Sequence, residues 1–132
     1  MFWGSFVAYT ADAKAKMLGI PLDLIEAHGP VSRPVAIAMA EAALEKSGAF
    51  WAFSVTGFAG PGGGVHCGTE IPAGTVWIAV SGRDAVGGGA SVGGIRTEAK
   101  LFAFAGSRSE VRRAAAAAAL RGLLDRVKRV TP

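Results

Sequence analysis

Phe50-Trp51-Ala52-Phe53-Ser54-Val55-Thr56-Gly57-Phe58-Ala59-Gly60-Pro61-Gly62-Gly63-Gly64 is the most informative stretch of this chain. Residues 50–55 form an apolar run that reads as a buried strand. The residues after it break into five glycines and one proline. A strand that ends in a glycine-rich loop gathers bare backbone N–H groups at its C-terminal end, the edge of an α/β sheet where ligands commonly sit. Glycine permits positive φ and lets an anionic group approach the backbone closely. The alternative is a mobile linker between two strands. Thr56, Ala59 and Pro61, however, give the loop a shape that a plain Gly/Ser linker lacks.

The totals bound the rest. The chain has 132 residues, enough for one domain with one sizeable core. It is 51% hydrophobic and 18% charged, a balance of compact soluble proteins rather than disordered ones. No run is long enough for a transmembrane helix, and Met1-Phe2-Trp3-Gly4 lacks the basic start of a signal peptide. Cys67 is the single cysteine, so no internal disulfide forms, which suits a reducing, cytoplasmic location. Net charge is +4, with pI about 9.7. Much of the excess lies in one C-terminal segment, from Arg108, Arg112 and Arg113 to Arg126, Lys128 and Arg129. Without interleaved aromatics or a nucleic-acid motif, this reads as a solvated basic face or a small-anion site rather than a nucleic-acid surface.

Upstream of the glycine loop, residues 2–10 read as a first strand, apolar enough to be central and to need a further neighbour. Residues 11–18 read as a short helix, supported by the Asp12/Lys16 pair and stopped by Gly19. Residues 21–27 give another helical turn with Leu22, Leu24 and Ile25 facing inward. Ser32 is placed to cap the next helix, with Pro34 in its first turn. Val35, Met39 and Ala43 with Ala36, Ala40 and Leu44 form its apolar stripe; Glu41, Glu45 and Lys46 face water. Downstream, residues 74–81 and 95–104 read as two strands of a hairpin, joined by a glycine-rich flexible excursion at residues 82–94. Ser107-Arg108-Ser109-Glu110 is a capping box. It opens a long helix whose alanine run at residues 114–119 favours helix and close packing. This order implies a single α/β domain over residues 1–132, with a mixed sheet of about four strands.

Phe6-Val7-Ala8-Tyr9-Thr10-Ala11-Asp12-Ala13-Lys14, Leu18-Gly19-Ile20-Pro21, Ala27-His28-Gly29-Pro30-Val31-Ser32, the Val55 to Gly64 loop, Pro72-Ala73-Gly74-Thr75-Val76-Trp77-Ile78-Ala79 and Gly106-Ser107-Arg108-Ser109-Glu110-Val111-Arg112-Arg113 run in order from end to end of the chain. Together they resemble the C-terminal domain of the CinA (competence/damage-inducible protein) family, whose stand-alone members are nicotinamide-nucleotide amidases. The resemblance implies a three-layer α/β/α domain. It implies hydrolysis of nicotinamide mononucleotide to nicotinate mononucleotide and ammonia, a pyridine-nucleotide salvage step. It implies no metal or other cofactor, and a homo-oligomer.

Family members also carry Ala-Glu-Ser-Cys-Thr-Gly-Gly ahead of the first matched strand. Its serine is the family's nucleophile, and its position falls before Met1. By this resemblance the chain lacks the family's first strand and helix. Two expectations stay open: an amidohydrolase-type domain, and a degenerate homologue acting as a nucleotide-binding or protein-interaction module. A missing strand would leave an exposed sheet edge or apolar groove near Phe6 and Tyr9, promoting self-association. Smaller departures are Ala11 for the usual Asn, Ser107 for the usual Asp, and a short insertion around residues 65–70.

Amide hydrolysis needs a nucleophile, a base, donors for the oxyanion and an acid for the leaving ammonia. The resemblance places Tyr9 and Lys14 beside the active site. A lysine of depressed pKa can serve as base, and a tyrosine can relay or donate a proton. The alternatives are an exposed helix lysine and a half-buried strand-end tyrosine. Residues 56–64 can hold a phosphate or oxyanion through Thr56, Gly57, Ala59, Gly60 and Gly62. Arg108, in the first turn of the last helix, can reach an anion favoured by that helix N-terminus, with Arg112 a weaker candidate. Cys67 reads as an incidental loop thiol, because neighbouring residues in an extended loop point apart and keep His66 from it. His28, His66 and Cys67 show no metal-ligand spacing.

Overall fold

A computed structural model of the protein describes residues 2–83 and 94–130. Strand β4 (Thr75–Arg83) lies at the centre of a sheet of order β1-β4-β5, between β1 (Trp51–Gly57) and β5 (Ile95–Ala103), antiparallel to both. Its near-continuous apolar sequence follows from burial on both faces. Val76, Ile78 and Val80 are buried towards one face, Ala79 and Ser81 towards the other. β5 alternates Arg96, Glu98 and Lys100 with less polar residues, as an edge strand does.

Helix α3 (Arg33–Ser47) covers one face. Ala36, Ala40 and Ala79 are all fully buried there, so small side chains let helix and sheet approach closely. Helix α4 (Arg108–Val130) covers the other, setting Val111, Ala115 and Ala119 on Val76 and Ile78. The result is the α/β/α layering that was expected. A second cluster joins α1 (Ala11–Leu18), α2 (Leu22–His28) and α3 through Leu18, Ile20, Ile25, Val35 and Met39, with Phe6 and Ala8 packed on it.

Several local expectations change. Residues 2–10 form no strand: they find no ladder partner, and Phe2, Trp3, Val7 and Tyr9 stay exposed. The sheet of the described residues is therefore narrower than expected, three strands, and antiparallel throughout. A short hairpin, β2 (Gly64–His66) and β3 (Thr69–Ile71), follows the glycine loop where no strands were expected. Its signal was the Cys67-Gly68 pair: φ of 49° and 78° suit a two-residue hairpin turn. Ser32 makes no side-chain cap; its hydroxyl donates to Gly29 O at 2.8 Å instead. Leu22 is exposed rather than inward. Glu41 does not simply face water, because it accepts a hydrogen bond from Thr97 Oγ1 at 2.7 Å. Most of the excursion expected at residues 82–94 falls at 84–93, outside the described residues; Gly82 and Arg83 belong to β4.

The capping box of α4 forms as read. Ser107 N donates to Glu110 Oε2 at 2.6 Å, and Glu110 N donates to Ser107 Oγ at 3.3 Å. Ser107→Ala is expected to cost about 1 kcal/mol, read as a lower urea midpoint at unchanged slope. No helix of the described residues is long and apolar enough to cross a membrane.

Candidate functional site

The order of β1, β4 and β5 leaves β1 paired on one side only among the described residues. Beyond its open edge lies a groove of about 950 Å³. The chain from Ala8 to Ala11 forms one lip, the Pro30-Val31 turn another, the glycine loop closes one end, and α4 lines a wall through Val111 and Ala115. An exposed edge and groove were expected near Phe6 and Tyr9; Tyr9 lines this one, whereas Phe6 packs on the α1–α3 cluster instead.

Helix α1 starts at this lip. Thr10 caps it, its Oγ1 accepting from Ala13 N at 3.0 Å. The first turn then carries Lys14 back beneath the strand-like segment. Lys14 is only 4% exposed, and its Nζ donates to Ala8 O at 3.1 Å. No carboxylate pairs with it among the described residues. Burial without a counter-charge pushes its ammonium below the ordinary lysine value. Tyr9 sits on the same lip, exposed. The exposed-lysine alternative for Lys14 is thus excluded.

That burial sets a pH signature. Between the lowered folded value of Lys14 and 10.5, the unfolded chain holds more protons than the folded one. Stability therefore rises with pH across this window, and the penalty is fully present below the folded value. Thermal midpoints of the protein minus those of Lys14→Met should climb as pH rises towards 10.5. A flat difference would mean that Lys14 is solvated.

The loop residues Thr56, Gly57, Ala59, Gly60 and Gly62 all line the groove. Two features shape the loop. A Cβ on Gly63 would lie 1.9 Å from Ile71 O, so only glycine lets the loop lie against β3. Arg108, also in the lining, donates through Nη1 to Gly60 O at 3.0 Å and ties the loop to α4. The backbone N–H groups of Ala59, Gly60 and Gly62 have no partner among the described residues. Thr56 contributes differently from expectation: its hydroxyl proton goes to Pro30 O at 2.7 Å, leaving none for a ligand.

Among the described residues, the charged ones lining the groove are Lys14, Arg108 and Arg112, with no Asp or Glu. No described serine or cysteine lines it either. Cys67 lies outside the groove at the hairpin tip, exposed. The expectation that it points away from His66 fails, because the positive φ of Cys67 turns its Sγ to within 3.4 Å of His66 Nε2. That ring also reaches Ala27 O, at 3.1 Å, docking the hairpin on α2. No group of three or more metal-ligating side chains gathers among the described residues.

Compared with known proteins, the chain matches the family described as CinA C-terminal domain over residues 1–127. It is 48% identical over 119 residues to a protein of Symbiobacterium thermophilum described as competence-damage inducible, covering 90% of this chain and 27% of that one. The crystal structure of competence damage-inducible protein A from Klebsiella pneumoniae is similar at TM-score 0.77 and 32% identity, over 92% of this chain and 66% of that one. A competence/damage inducible protein from Agrobacterium tumefaciens is similar at TM-score 0.74 and 36% identity, over 91% and 66%. The chain thus spans about a quarter of the length of the curated relative and about two thirds of the solved ones.

Proposed function

Since the chain belongs to the CinA C-terminal domain family, we propose that its groove binds nicotinamide mononucleotide and belongs to a site that hydrolyses the carboxamide to nicotinate mononucleotide and ammonia. The observation that carries this reading is Lys14: among the described residues, a buried amine without a carboxylate partner, at the lip of a groove whose charged lining is wholly cationic. Burial lowers the Lys14 pKa, which favours the neutral amine that takes the proton of an attacking water. The new C–O bond turns the carboxamide oxygen into an oxyanion, and the free N–H groups of the glycine loop are donors of the kind that stabilise it. The Lys14 ammonium returns its proton to nitrogen as the C–N bond breaks, and ammonia leaves. Tyr9 is the second proton-handling group. Gly57, Ala59, Gly60 and Gly62 form the end assigned to the substrate's phosphate, with Arg108 tying that loop to α4.

A second reading is favoured by one observation. No serine lines the groove among the described residues, and the hydroxyls of Thr10 and Thr56 are engaged in a helix cap and a turn. In that reading the chain binds the nucleotide without turning it over. Ammonia release from nicotinamide mononucleotide separates the two: release above the uncatalysed background supports the amidase, and binding without release supports the binding module. We also propose a cytoplasmic location and self-association, the latter because β1 leaves an apolar edge uncovered.

A further inference from the structure

The first turn of α4 is the obvious seat for an anion, but its features are already in use. The capping carboxylate of Glu110 sits against Ser107 N at 2.6 Å and partly neutralises the positive helix end. A phosphate placed there would meet a like charge. Arg108 is also committed, one arm of its guanidinium holding Gly60 O at 3.0 Å. Lys14, buried at the groove lip, is directed at Ala8 O.

Arg112 differs from all of these. It lies one helical turn beyond Arg108 on the same wall of the groove, exposed, with no hydrogen bond or ion pair among the described residues. Among the described residues, no acid lines the groove to compete for it. We propose that Arg112 is the specificity-determining residue for a phosphate monoester, and that Arg108 is a positioning residue which shapes the glycine loop. The inference rests on the reading of the groove as a nucleotide site and names the group that selects nucleotide over nucleoside. The guanidinium fork suits two phosphate oxygens at once. The apolar wall around Val111 and Ala115 is left for the uncharged part of the ligand.

The test uses nicotinate mononucleotide, which offers no amide to hydrolyse, against nicotinate riboside, which lacks the phosphate. Binding of both is measured by calorimetry at low salt. Arg112→Gln is expected to weaken the mononucleotide by about tenfold or more and to leave the riboside unchanged. Arg112→Lys should recover part of the loss, and Arg121→Gln, on an exposed position outside the groove, should match the unchanged protein. Equal weakening of both ligands by Arg112→Gln, or no weakening of either, would overturn the assignment. So would failure of the unchanged protein to bind the mononucleotide. Arg112-dependent binding with no ammonia release from nicotinamide mononucleotide would leave Arg112 in its role and overturn the hydrolytic reading alone.

Discussion

Lys14→Met is expected to reduce ammonia release from nicotinamide mononucleotide by about 10²–10⁴-fold while leaving the protein folded. The catalytic side of this result follows from the lowered pKa of Lys14 and its place at the groove lip. Among the described residues lining the groove, Lys14 alone is an amine whose pKa burial lowers. Methionine matches the length of the lysine stem without its charge, so the exchange removes an uncompensated buried ammonium. The hydrogen bond to Ala8 O is lost, but that carbonyl lies in a segment open enough for water to replace it. The thermal midpoint at neutral pH should therefore stay level or rise. Turnover by Lys14→Met equal to that of the unchanged protein would rule out Lys14 as the base. A large fall in midpoint would recast it as a structural residue.

Gly74→Ala is expected to be the most damaging single substitution to the fold, costing about 3 kcal/mol or more. Gly74 has φ of 91°, a conformation that side chains rarely adopt. A Cβ there would stand 1.9 Å from Phe104 O, which is backbone and cannot swing aside. The same residue ties three segments together: its N–H donates to Phe58 O at 2.6 Å and its carbonyl accepts from Phe104 N at 2.9 Å. Relieving the clash therefore disturbs the ends of β4 and β5 and the start of the glycine loop together. Urea unfolding should show a midpoint far below that of Ser107→Ala, and nucleotide binding should weaken in the population that remains folded. A midpoint within experimental error of the unchanged protein would show that this corner is not held as described.

Much of this protein was legible in its residues because the signals are short-range. The continuous apolar run of β4, the alternation in β5, the alanine-rich stripe of α3 and the Ser107/Glu110 box each depend on neighbours within one or two turns, or on burial that composition alone records. The family resemblance likewise rests on local motifs, and the two residues it placed beside the active site, Tyr9 and Lys14, line one groove.

What only the tertiary structure decided concerns pairing between distant segments. Residues 2–10 have the composition of a strand, yet a strand exists only where a ladder partner stands beside it, and none does among the described residues. Thr56 reads as a free donor until Pro30 O is found 26 positions earlier in the chain. Arg108 reads as a first-turn helix arginine until its bond to Gly60 O, 48 positions away, ties it to the glycine loop. Lys14 reads as an ordinary helix lysine until the chain folds over it and removes its water. Residue type sets what a side chain is able to donate, accept or carry. Desolvation and the partners brought in from remote parts of the chain set which of those capacities remains available to a ligand.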